Sequence, residues 1–137
     1  MNNEGMNNPY APVDGKEKRS LTRKDRKDQQ LRPILDCLQD CFLGDHVLYT
    51  RHARNEMRQE EFGPIHEQEV FEAIRSGKVI ENYPDDKPYP SALVYGRTIA
   101  GRPIHVVCAY ADVDDLAIVI TVYEPDSVRW LDFERRK

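Results

Sequence analysis

Two imidazoles, a phenol and two guanidinium groups carry the chemistry that this 137-residue sequence can be read for. His52 and Glu56 stand four positions apart in a segment of helical pattern, so they share one helix face, with Ala53 and Met57 beside them as core contacts. His105 lies inside an extended apolar run, its side chain on the face opposite Arg102, Ile104 and Val106. Tyr123 closes the last such run. A histidine among Ile104, Val106 and Val107 must find a hydrogen-bond partner or bury a bare nitrogen, at a cost of about 1 to 3 kcal/mol. One reading makes it a core histidine bonded to a backbone carbonyl or to Glu56. The other makes it a general acid or base, because imidazole titrates near neutrality. His52, near a helix N-terminus, admits the same two readings. Arg97 and Arg102 flank a hairpin, where guanidinium groups either bind phosphate or are simply solvated.

The commoner catalytic signatures do not occur: no nucleotide-binding loop, zinc-protease helix, Gly-x-Ser-x-Gly elbow or calcium loop. Cys37, Cys41 and Cys108 are an odd number, which argues against a disulfide framework and a Cys-rich zinc site. Cys37 and Cys41 are one helical turn apart and could hold a metal only if other ligands converged; the simpler reading is buried thiols. No metal or cofactor is expected. Charged residues make up 32% of the chain and no apolar run approaches the roughly 20 residues of a membrane span. No secretory pattern opens the sequence, so a soluble, cytoplasmic protein is expected. A net charge of -4 does not favour polyanions over the whole surface, so nucleic-acid contact would need a local patch.

The elements that must position these groups follow from pattern. Residues 1–30 hold few large apolar side chains and are expected to be a disordered basic tail. Its Lys16 to Lys27 stretch carries seven basic and two acidic residues, suited to phosphate contact or to a solvated linker. Residues 31–137 then form a single domain. Leu31, Ile34, Leu35, Leu38, Cys41 and Phe42 recur at helical spacing, with Gly44 as the stop. Val47, Leu48 and Tyr49 form a short extended link, and Thr50 caps a second helix running from Arg51 to about Glu61. A third helix runs from His66 or Glu67 to Ser76, with Glu69 as the acidic half of a capping box and Gly77 as the stop. After Gly77 the period becomes extended: Lys78 to Tyr83, Ala92 to Ile99, Arg102 to Tyr110 and Leu116 to Tyr123. Tight turns at Ala100-Gly101 and Asp112 to Asp115 imply an antiparallel meander. The fold class is therefore α+β, N-terminal helices packed on a C-terminal antiparallel sheet. Two strands are apolar at nearly every position and should be covered on both faces, with Trp130 and Phe133 folding back over the sheet.

Several ordered motifs carry a resemblance. They are Thr50-Arg51-His52-Ala53 with Met57, Glu69-Val70, Ala73-Ile74, Gly77 to Pro84, Gly96-Arg97, Gly101 to Val107, and Ile120 to Asp126 followed by Trp130. Together they resemble domain-of-unknown-function family 4258 over roughly Cys37 to Lys137. Where many members carry Arg before the Met, this chain has Glu56, and Pro64 and His66 also depart from the usual pattern. The family is similar in fold to the RelE, MqsR and BrnT group of bacterial toxins, small metal-free ribonucleases paired with antitoxins.

That resemblance implies a toxin-like protein of a toxin-antitoxin system, acting as a metal-independent mRNA endoribonuclease. Metal-free cleavage needs a base for the ribose 2′-hydroxyl, an acid for the leaving 5′-oxygen and cations for charge on phosphorus. His52 and His105 would share the proton transfers, Tyr123 would orient the phosphate or assist as acid, and Arg97 and Arg102 would bind RNA. The implied partners are RNA and a cognate antitoxin of the MqsA zinc-finger type. The alternative is a non-catalytic module that keeps the fold and binds a protein or an RNA through the sheet.

Overall fold

A computed structural model describes residues 32–137. The basic tail lies outside the described residues. Among them, three helices precede most of the strands: α1 (Ile34–Leu43), α2 (Arg51–Gln59) and α3 (Glu67–Ser76). The strands are β1 (Val47–Tyr49), β2 (Lys78–Tyr83), β3 (Ser91–Arg97), β4 (Pro103–Ala111), β5 (Leu116–Tyr123), β6 (Trp130–Leu131) and β7 (Arg135–Arg136). No described helix is long and apolar enough to cross a membrane.

The helices begin and end for local reasons. Thr50 Oγ1 accepts from the Ala53 N–H at 3.1 Å and so satisfies one of the unpaired donors of the first turn of α2. The Glu69 carboxylate accepts from the His66 N–H at 3.0 Å at the start of α3, the capping contact the spacing predicts. Gly44 and Gly77 follow the last helical residues, and their N–H groups reach back to helix carbonyls. Gly77 and Gly96 also let α3 lie close on β3. A β-carbon at Gly96 would sit 1.8 Å from the Ala73 carbonyl oxygen, so only a residue without one fits there.

The five-stranded sheet has the order β1-β5-β4-β3-β2. Strands β2 to β5 form the expected antiparallel meander. The expected link at Val47–Tyr49 is instead a strand, and it adds parallel to β5 through Val47 opposite Ala117 and Tyr49 opposite Val119. The sheet is therefore mixed. Its apolar Val-Leu-Tyr run reads equally well as a linker, and only the partner strand, some seventy residues later in the chain, decides between them.

One face of the sheet packs on the helices. Leu38, Cys41, Ala53, Met57, Val70 and Ile74 meet Val94, Ile104, Val106, Cys108, Val119 and Val122 in one core. Each buried leucine, isoleucine, valine or methionine among them contributes roughly 1.5 to 3 kcal/mol on leaving water. Strand alternation sends the intervening residues, including Tyr95, His105 and Tyr123, to the other face.

Because β1 is so short, β5 runs on without a neighbour beyond Val119, and α2 supplies one. Thr50 Oγ1 donates to the Ile120 carbonyl at 3.3 Å. Glu56 and Glu60 then accept from the N–H groups of Val122 and Glu124, each at 3.0 Å. Four residues along a helix rise about 6 Å, and two along a strand about 6.6 Å, so an i, i+4 carboxylate pair matches alternate strand amides. This covers a sheet edge that would otherwise be open.

Candidate functional site

The face away from the helices carries a cluster built on three neighbouring strands. Register places His105 directly between Tyr95 on β3 and Tyr123 on β5. Residues after Tyr123 return across it and form the β6-β7 hairpin, in which Trp130 meets the His105 ring edge-on at 4.5 Å. The turn of that hairpin has positive φ at Asp132 (52°) and Phe133 (63°), with the Glu134 N–H on the Leu131 carbonyl. Such a turn suits the strand twist, but a bulky residue in left-handed backbone costs about 1 to 2 kcal/mol. Phe133 offsets that cost in two ways. Its ring lies against Tyr95 and under the Arg97 guanidinium, and its carbonyl accepts from His105 Nε2 at 2.6 Å.

That last contact fixes the imidazole. A carbonyl only accepts, so Nε2 carries the proton, and Nδ1 must then accept from the Tyr123 hydroxyl, 3.1 Å away. His105 is fully buried and both of its nitrogens are bonded. Burial lowers its pKa below the usual histidine value, opposed by the Phe133 carbonyl and by Glu81. Burial likewise pushes the Tyr123 phenol up to about 12. A neutral imidazole and a protonated phenol are the resting forms.

Ion pairs hold the covering segment down. Arg136 donates to both carboxylate oxygens of Glu81, at 2.8 and 3.1 Å, and stacks over Trp130 at 4.6 Å. This guanidinium holds the Glu81 carboxyl below the usual range, and the Tyr83 hydroxyl also bonds it. Lys78 pairs with Glu134 at 2.6 Å.

The other predicted residues lie elsewhere. His52 stands exposed on α2, the helix that lies along the edge of β5, and its Nε2 is 3.3 Å from Glu56. No contact joins His52 to His105, whereas His105 and Tyr123 are hydrogen-bonded. Arg102 is turned inward. Its Nε donates to Glu124 at 2.6 Å, Nη1 to the Pro64 carbonyl at 3.0 Å and to Glu69 at 3.2 Å, and Nη2 to the Gly63 carbonyl. It ties the loop between α2 and α3 to the end of β5 instead of facing solvent. Arg97 is exposed, over the rings of Tyr95 and Phe133, with Nη1 donating to Gly101.

Sequence reasoning did not find Glu60, Glu69 and Glu124 as partners of a strand amide and of Arg102. The i, i+4 pair Glu56 and Glu60 was the one available signal. Among the described residues no group of three or more His, Cys, Asp and Glu is placed to hold a metal ion. The three cysteines are buried, and burial pushes each thiol up, away from reactive thiolate.

A family model described as Domain of unknown function (DUF4258) matches residues 49–124, more than half of the chain. The chain belongs to this family. No curated protein and no solved structure matches it. The DUF4258 match spans His52, Arg97, Arg102, His105 and Tyr123 and ends at 124, before the segment that covers His105.

Proposed function

We propose that the chain is a non-catalytic interaction module that keeps a toxin-like α+β fold and binds a partner instead of cleaving RNA. The observation that carries this reading is the state of His105, buried beneath Trp130 with one nitrogen on a backbone carbonyl and the other on Tyr123. A general base must reach the proton it removes, and here neither nitrogen is open to a ribose hydroxyl. The inward-turned Arg102 adds support, since its donors serve the chain's own carboxylates and carbonyls. The resemblance to the RelE, MqsR and BrnT group favours a toxin-antitoxin setting, with an antitoxin of the MqsA zinc-finger type as the partner class.

The test is expression in a host cell with growth and transcript ends followed, alongside incubation of the purified chain with single-stranded RNA. Normal growth, intact RNA, and one stable protein partner whose affinity is unchanged in His52→Ala are the expected results. Cleavage that the purified chain performs and His52→Ala loses would defeat the proposal.

One observation favours a second reading, a metal-independent endoribonuclease: the Tyr123 to His105 hydrogen bond lies on the same face as exposed Arg97. In that case the cover must lift before the pair can act. Trp130→Ala should then switch RNA cleavage on, and continued inactivity of that folded variant would remove this alternative.

A further inference from the structure

We propose that β1 is a self-association edge through which two copies of this chain pair antiparallel. The inference rests on the strand alone and is independent of the functional reading above. In the parallel ladder with β5, the Ala117 N–H reaches the His46 carbonyl, and the Thr50 N–H reaches the Val119 carbonyl. The even-numbered residues thus bond β5, and the backbone groups of Val47 and Tyr49 point away from the sheet. Neither residue has another backbone partner among the described residues. Leu48 between them is 50% exposed.

The kind of partner follows from the sequence across this edge. A two-fold axis through Leu48 brings Val47 of one copy opposite Tyr49 of the other, and outward-pointing pairs of this kind exchange both hydrogen bonds. The two Leu48 residues then face one another at the closer, non-bonded position of the ladder. The same axis brings Asp45 of each copy alongside Arg51 of the other. Both are exposed, and neither has a salt-bridge partner among the described residues. The edge is complementary to itself in shape and in charge.

Length points the same way. Beyond Tyr49 the chain turns into α2, whose Glu56 and Glu60 close the rest of the β5 edge. A long foreign strand has nothing to continue along, whereas a second β1 ends where this one ends. So short a contact falls at the small end of specific interfaces, under about 1,200 Å2 in total, which makes the dimer weak and concentration-dependent.

Sedimentation equilibrium of the full chain over a wide concentration range tests this. Reversible monomer-dimer association is expected for the wild type. Val47→Pro removes one outward N–H while leaving the β5 ladder intact, and it should weaken association by about tenfold or more. Arg51→Asp sets two acidic pairs against each other and should weaken it similarly. Asp45→Lys should not self-associate, yet mixed with Arg51→Asp it should form a heterodimer. Lysine is strained at the 60° φ of Asp45, so should that variant misfold by circular dichroism, the other two decide. A wild type that stays monomeric to its solubility limit overturns the proposal and leaves the edge to a strand of another protein. A dimer indifferent to Val47→Pro and Arg51→Asp overturns it as well.

Discussion

His105 joins three elements: β4 through its own backbone, β5 through the Tyr123 hydroxyl and the C-terminal turn through the Phe133 carbonyl. Replacing it by alanine leaves that hydroxyl and carbonyl without their partner and opens a void under Trp130. Each unmade bond costs about 1 to 3 kcal/mol, so His105→Ala should lose about 3 kcal/mol in urea unfolding, and His105→Gln less. The ring also makes stability depend on pH. Its folded-state pKa lies below the unfolded value near 6.5, so between the two the unfolded chain binds more protons. The stabilisation is therefore complete above about pH 6.5 and is lost as pH falls through the folded pKa. Urea midpoints measured from pH 7.5 down to 5 should decline for the wild type and stay flatter for His105→Gln. An unchanged slope in the variant would assign the pH dependence to other groups.

The helices and strands were legible where pattern is local. Periodicity over Ile34 to Phe42, the Thr50 cap, the Glu69 capping contact and the change of period at Gly77 each depend on residues within a few positions of one another. What pattern could not supply was contact across the chain. The pairing of β1 with β5 and the inward turn of Arg102 toward Glu69 and Glu124 join residues far apart in sequence. An exposed and a clamped hairpin arginine look alike as letters. Substitutions at three positions probe contacts of this kind. Glu56→Ala should cost about 1 kcal/mol, with Glu56→Gln close to wild type because the amide oxygen still accepts. Amide exchange at Val122 should quicken in the first variant alone. Arg102→Lys keeps the charge but not the fork, and should lose about 2 kcal/mol in urea unfolding. Gly96→Ala should leave little folded protein by circular dichroism, since its β-carbon would overlap the α3 backbone.

Over the whole molecule, the sheet is insulated on two sides by different means: a packed helical core on one face, and on the other a hairpin tied down by Arg136, Lys78 and His105. The sequence-level reading brought His52, His105 and Tyr123 to one spot because all three suit RNA cleavage, but residue type carries no information about which side chains the fold brings into contact. The fold joins His105 to Tyr123 by a hydrogen bond and leaves His52 on the edge helix, paired with Glu56. Whether the hairpin stays closed in solution decides between a structural and a chemical His105. Nitrogen-15 NMR of the histidine rings in the intact chain reads this directly. A His105 neutral at pH 7 with its proton on Nε2, slow to exchange and titrating below the ordinary histidine value, is the expected spectrum; a ring that exchanges freely and titrates near 6.5 would contradict it.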